Sequence, residues 1–315
     1  MHALILTSGG LIAARVISAW LATGNSVAAI WVGTKSLRRL DRNQGLRVIA
    51  PAWSILGLAR RYNLPIRAIP LLRDWGDAEA EIAKLGTDVL ITAATDNIVP
   101  DDVLRLFPCR AVNFHGSLLP HYRGPNPTAG MILDGVAEIY GGMTMHCLST
   151  AIDMGDIIGA RRVPYDENRG FLYWQVCLAR AAESLARHEL IKYLRGGLPP
   201  VPQTDSGNYR KMGLAELTLS STDNMERIKW LCDIFGSVGW LSYRSRLDKR
   251  NFVSHFISEL KTRAAEAERI DQFTIAFDVA DGRVKLARFG NWARLVRALR
   301  YWQAIVRTWW TSDDP

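Results

Sequence analysis

Asn113-Phe114-His115-Gly116-Ser117-Leu118-Leu119-Pro120-His121-Tyr122-Arg123-Gly124 follows two apolar runs, Asp88-Val89-Leu90-Ile91-Thr92-Ala93-Ala94 and Ala111-Val112. Short apolar runs bounded by turn residues read as buried strands of an α/β sheet. Side chains alternate across a strand, so Asn113 and His115, two apart, leave the same face. Glycine and proline then turn the chain. An amide and an imidazole side by side at the carboxyl end of a strand lie where open α/β sheets take their ligands.

Toward the amino terminus, residues 3–7 are apolar and end at Ser8-Gly9-Gly10, and residues 11–22 follow with helical spacing. Strand, glycine turn and helix open a parallel α/β unit. Such a turn offers backbone N–H groups to a phosphate, which makes Ser8, Gly9 and Gly10 substrate-binding candidates, although many such turns hold no ligand. Residues 26–32 read as the second strand. Lys35, Arg38, Arg39, Arg42 and Arg47 follow, opposed only by Asp41. The run is either a solvated loop or a contact for phosphate, with Arg42 as its candidate.

Residues 53–62 and 78–85 are expected to be helical and 66–69 to form a strand. Pro100 is placed at the first helical position of 101–106. A short helix is expected over 128–133, strands over 139–147 and 156–163, and one long amphipathic helix over 170–194. The fold expected is α/β: a Rossmann-like, mostly parallel sheet flanked by helices over residues 1-200. After a proline-flanked linker at 199–208, a smaller α+β region occupies 205-315.

Thirty to forty residues beyond Asn113 the chain reads Met143-Thr144-Met145-His146, then Ile152-Asp153-Met154-Gly155-Asp156. Singly, an Asn after a strand caps a turn, a lone His is a satisfied side chain, and an Asp before Gly marks a turn. Together they resemble the formyltransferases that draw on 10-formyltetrahydrofolate, those acting on glycinamide ribonucleotide, methionyl-tRNA and amino sugars. That family's signature is Asn-x-His-x-Ser-Leu-Leu-Pro with a following Arg-Gly, then Thr-x-His and an Asp-x-Gly loop, and the resemblance covers roughly residues 2 to 200. It implies Asn113, His115 and Asp153 as catalytic residues. A pterin would be framed by the loop at 95–100, largely through backbone groups, and by 150–156, so Thr95, Asn97, Ile98, Ile152 and Asp156 are the folate-binding candidates. Ser117 and Arg123 are candidate substrate contacts, and His146 is assigned a structural place.

The chemistry fits those residue types. A neutral amine attacks the formyl carbon, an oxyanion forms, and a proton leaves the new ammonium. Asn113 can donate to the formyl oxygen, His115 can stabilise the oxyanion or carry a proton, and Asp153 can orient His115. No metal-ligand spacing and no Gly-x-Gly-x-x-Gly fingerprint is present. The four cysteines, far apart in sequence, read as buried thiols of a reducing compartment. With no basic leader and no long apolar span, a cytoplasmic protein is expected. The net charge of +8 favours an anionic ligand or surface.

The acceptor expected is the amine of a nucleotide-linked amino sugar or a similar small molecule. Methionyl-tRNA is the alternative, disfavoured because residues 205–315 show one clear hairpin where a small β-barrel would be needed. Hydrolysis of formyltetrahydrofolate is a third reading. In the carboxyl-terminal region, residues 224–235 and 252–267 read as helices, and 273–279 and 283–289 as strands about Asp281-Gly282. Residues 292–310 are helical, with Trp292, Leu295, Val296, Leu299, Trp302, Ile305 and Trp309 on one face. That face has two outlets: packing on protein, including a second subunit in a homo-oligomer, or an anionic membrane surface.

Overall fold

The structure, a computed structural model, describes residues 1–40, 44–204, 206–244, 250–260 and 268–310. The chain forms two compact units: one holds Met1–Asp166, Tyr173–Met212 and the chain from Ala304, the other Glu167–Leu172 and Gly213–Gln303.

The first unit opens with β1 (His2–Thr7), α1 (Leu11–Ala22) and β2 (Ser26–Gly33). Next come α2 (Thr34–Leu40) and α3 (Gln44–Ile49), so the basic run expected as a solvated loop is helical on both sides of residues 41–43. Leu40 and Leu46, buried at 8% and 1% exposure, account for this: two apolar anchors sit among the charges. There follow α4 (Ile55–Tyr62), β3 (Ile66–Ile69), α5 (Ala78–Ala83), β4 (Val89–Ala93), α6 (Asp101–Arg105) and β5 (Ala111–His115). Then come α7 (Pro127–Leu133), α8 (Ala137–Tyr140), β6 (Gly142–Cys147), β7 (Ile157–Arg162), α9 (Gly170–Arg187) and α10 (Glu189–Leu194).

Several boundaries differ from those expected. Pro100 caps α6 instead of occupying its first position, whereas Pro127 does start α7. Ile139 and Tyr140 close a helical turn before β6. The helix expected over 170–194 divides at His188, whose φ of −110° and ψ of −66° depart from the helical values.

These strands form one seven-stranded sheet in the order β3-β2-β1-β4-β5-β6-β7. The first five run parallel, while β6 and β7 are antiparallel to their neighbours. Leu4 and Leu6 of β1, Trp31 of β2 and Leu90 of β4 pack with Ile82, Val103 and Phe107 in one core layer. With helices over it, this burial explains why the strands read as unbroken apolar runs. The chain order changes direction between β1 and β4, which places a ligand crevice outside the carboxyl ends of the strands there.

The second unit contains β8 (Thr218–Leu219), α11 (Met225–Leu231), β9 (Ser242–Arg244), β10 (Arg250–Glu259), β11 (Glu268–Ile270), β12 (Thr274–Val279) and β13 (Gly282–Arg288). Its last helix is α12 (Asn291–Trp310), and the division between units falls inside it. A six-stranded sheet runs β11-β12-β13-β10-β9-β8. The helix expected over 252–267 is therefore corrected to a strand over its first part, while residues 261–267 lie outside the described residues. Phe252, Val253, Phe256 and Ile257 fit a helical stripe as well as a strand, and long-range pairing with β13 and β9 decides for the strand. The hairpin about Asp281-Gly282 forms as expected, with Val279 opposite Gly282.

In α12 the expected apolar face is buried only in part: Ile305 is buried and Val296 and Trp302 are half-buried. Trp292, Leu295 and Leu299 are exposed, and the buried side carries Arg297, Ala298, Tyr301, Ala304, Ile305 and Thr308. Of the four cysteines, Cys232 is buried and Cys109 is exposed. Among the described residues no helix is long and apolar enough to cross a membrane.

Candidate active site

Pairing of β5 with its neighbours assembles the polar centre. Asn113 lies opposite Thr92 of β4 on one side and opposite His146 of β6 on the other, and His115 lies opposite Thr144. Residues opposite one another in an antiparallel pair share a face. The Asn-x-His of β5 and the Thr-x-His of β6 are thus two edges of one patch.

Asp153 reaches the patch from the loop after β6, in a left-handed conformation with φ of 53°. Its Oδ2 accepts a hydrogen bond from the Gly124 backbone N–H at 2.8 Å and stands 3.4 Å from His115 Nδ1. Its Oδ1 is 3.3 Å from Asn113 Nδ2 and 3.5 Å from His146 Nε2. Gln203 secures the loop by donating from Nε2 to the carbonyls of Asp153 and Gly155, at 2.8 and 2.7 Å. Residues 199–208, expected as a linker, are in this way part of the site's frame. Val201 also exchanges backbone hydrogen bonds with Ile157, and Asn208 Oδ1 accepts from the Tyr122 N–H.

Proton positions follow from the partners. His115 Nε2 is 2.8 Å from the Tyr122 carbonyl, which can only accept, so Nε2 carries a hydrogen. In the neutral ring Nδ1 is then a bare lone pair facing the Asp153 carboxylate. Burial holds His115 below the ordinary imidazole value, the negative charge of Asp153 offsetting only part of that. For Asp153, burial acts to raise the pKa, but the charges and hydrogen bonds of His115 and His146, together with the Gly124 N–H, outweigh it and bring the value to about 2. At neutral pH the pair is a charged carboxylate beside an unprotonated Nδ1: a vacant place for one proton.

His146, assigned a structural place from the sequence, fixes Asn113. Its Nδ1 is 2.8 Å from the Cys147 carbonyl and so carries a hydrogen, which makes Nε2 of the neutral ring an acceptor. Asn113 Nδ2 donates to that Nε2 at 3.0 Å, while Asn113 Oδ1 accepts from the Thr92 hydroxyl at 2.7 Å. The amide can point only one way. His146→Leu is expected to cost about 10- to 100-fold in kcat with little change in KM for the formyl donor, because Asn113 loses the acceptor that aims it. His146→Gln, which supplies an acceptor oxygen, should recover part of that loss. Equal kcat in the Leu variant and the wild type would show that Asn113 needs no such support.

The remaining candidates fall into three groups. Ser117 is fully buried, its hydroxyl donating to the His121 carbonyl, and Arg123 is buried against Gln203 Oε1 and the Thr204 carbonyl. Both hold the loop's frame instead of facing outward. At the sheet's turning point, Ser8 donates its hydroxyl to Asp96 Oδ1, and Ser36 donates to Asp96 Oδ2. Ser8, Gly9 and Gly10 therefore sit beside a carboxylate, a neighbour that opposes a phosphate there. Of the folate candidates, Thr95 Oγ1 accepts from the Asn97 N–H, and Asn97 is buried with its Oδ1 on the Leu72 N–H. Ile98 and Ile152 are exposed, as is Met154, and Asp156 receives the Cys147 N–H on its carbonyl. Arg42 lies outside the described residues.

Residues 73–170 match the family model described as formyl transferase. Methionyl-tRNA formyltransferase of Bdellovibrio bacteriovorus is 32% identical over 166 residues, 53% of this chain and 52% of that protein. The chain spans about half the length of the curated relatives it matches. Among solved structures, a 4-N formyltransferase from Francisella tularensis superposes with a TM-score of 0.56 at 14% identity, covering 82% of this chain and 98% of that one. An N-formyltransferase from Helicobacter canadensis, in complex with folinic acid and dTDP-3-aminofucose, gives 0.52 at 15% identity over 91% and 98%. At such identities these structures speak for the fold. Asn113, His115, His146 and Asp153 all lie inside the residues 73–170 that match the formyl transferase model.

Proposed function

We propose that this chain moves a formyl group from 10-formyltetrahydrofolate to the primary amine of a small acceptor, a nucleotide-linked amino sugar, in the cytoplasm. The observation that carries the reading is the meeting of Asn113, His115 and Asp153 on one face at the carboxyl end of β5, with a vacant proton place between the last two. Exposed Ile98, Ile152 and Met154, on the two loops bordering the centre, supply apolar edges for a flat ring.

The amine nitrogen forms a bond to the formyl carbon, and the formyl oxygen takes up negative charge. Both N–H groups of Asn113 are engaged within the protein, and the longer contact, 3.3 Å to Asp153, is the one given up to the oxyanion. The proton leaving the new ammonium is held between His115 Nδ1 and Asp153 Oδ2. It then passes to N10 of the departing tetrahydrofolate as the bond from N10 to the formyl carbon breaks.

The amino-sugar acceptor is favoured because the Helicobacter canadensis neighbour, solved with such a sugar nucleotide, is covered over nearly its whole length. Methionyl-tRNA stays as the second reading, since the curated relatives carry that name and the six-stranded second sheet removes the single-hairpin objection to it. Folinic acid should raise the melting temperature by mass action. A panel of dTDP- and UDP-linked amino sugars and charged methionyl-tRNA, each with 10-formyltetrahydrofolate, should show tetrahydrofolate release with a sugar. Release with tRNA alone would overturn the acceptor assignment. Release without any amine would make the protein a hydrolase.

A further inference from the structure

The side of α12 that the second unit leaves uncovered is apolar where a solvent face would be polar. Trp292 is 75% exposed, Leu295 45% and Leu299 46%, one stripe at spacings of three and four. Arg294 and Arg300 stand exposed beside it. Phe273, 70% exposed, belongs to the same end of the sheet, for its carbonyl receives the Arg288 N–H just before the helix starts at Asn291.

We propose that this stripe docks on an anionic lipid surface, with Trp292, Leu295, Leu299 and Phe273 entering the interface and Arg294 and Arg300 meeting headgroup phosphates. Charge selects this occupant over a second copy of the chain. Between Gly282 and Thr311 the sequence holds seven basic residues and no acidic one, so a two-fold contact through the stripe would set arginines against arginines. The acids just before it are engaged: Asp281 accepts from the Met225 N–H, Asp278 pairs with Arg283, and Asp271 accepts from the N–H groups of Phe273 and Thr274. The apolar side chains select lipid over nucleic acid, whose phosphates take arginine but not leucine. Protruding tryptophan and leucine flanked by arginine suit a helix lying in the plane of a bilayer surface.

Sedimentation of the full chain with phosphatidylglycerol-containing vesicles tests this, with pure phosphatidylcholine vesicles as control. The chain should bind the anionic vesicles and not the neutral ones, and added salt should release it. Trp292→Ser with Leu299→Ser should weaken binding at least roughly tenfold. Arg294→Gln with Arg300→Gln should weaken it roughly thirtyfold, about fivefold per charge. All four sites are on the surface, so circular dichroism and formyl transfer should remain those of the wild type. No binding to anionic vesicles at low salt, equal binding to neutral ones, or a dimer that the Trp292 and Leu299 changes dissociate would each overturn the proposal.

Discussion

His115→Ala is expected to lower kcat for formyl transfer by on the order of 10²–10⁴, the usual contribution of a positioned acid–base group, while folinic acid still raises the melting temperature. The imidazole holds the Tyr122 carbonyl through Nε2 and leaves Nδ1 toward Asp153, so the variant loses the proton place and keeps the loops that border it. The pH dependence sharpens the test. A proton acceptor must be neutral to work, and burial lowers His115 from its ordinary value of 6.5. Activity should therefore persist as pH falls through 6.5 and decline only below it. Asp153→Asn removes the charge that favours the imidazolium, so whatever activity remains should have its acid limb at still lower pH. Near wild-type turnover by His115→Ala, or an acid limb above 6.5, would remove His115 from the chemistry.

Gly155→Ala should be nearly as damaging without touching a polar group of the site. A Cβ built at that position lies 1.9 Å from the Cys147 carbonyl oxygen, a backbone atom with nowhere to go. The loop would have to shift, carrying Asp153 away from His115 and loosening the Gln203 contacts to both carbonyls. A displacement of about 1 Å at a reacting group costs on the order of 100-fold in rate. Overpacking should also take roughly 1–3 kcal/mol from stability, readable in a urea titration. Wild-type kcat in a folded Gly155→Ala protein would mean that the placement of Asp153 is not what limits the reaction.

What the sequence made legible was set by the range of the interactions involved. Asn113 and His115 follow from a period of two on a short buried strand, and β1 to β5 from runs bounded by glycine and proline. Asp153 could not be found that way. Its partners lie 38 and 40 residues back, and only the resemblance joined them. His146 was within reach, because a Thr-x-His strand antiparallel to an Asn-x-His strand sets His146 against Asn113. That step required knowing the β5–β6 register. The carboxyl-terminal region hid more. Strand β10 is specified by pairing with β13, some thirty residues away, and its own aromatic and β-branched residues suit either structure. In α12 the largest apolar residues pointed to a buried face, yet the buried seam is built mostly from smaller ones, Ala298, Ala304 and Thr308, with Tyr301 and Ile305. Of the expected face Ile305 joins that seam while Trp292, Leu295 and Leu299 do not, because small residues let a helix approach its neighbours closely.

The central claim is that one formyl group passes from folate to an amine through Asn113, His115 and Asp153. The most direct measurement follows the carbon itself. With 10-formyltetrahydrofolate labelled in the formyl carbon and a dTDP-linked amino sugar, mass spectrometry should find the label in a new formamide in step with tetrahydrofolate release. The His115→Ala and Asp153→Ala proteins should form it at rates lower by on the order of 100-fold or more. Label recovered as free formate, or in the formamide at the same rate with either variant, would contradict the account.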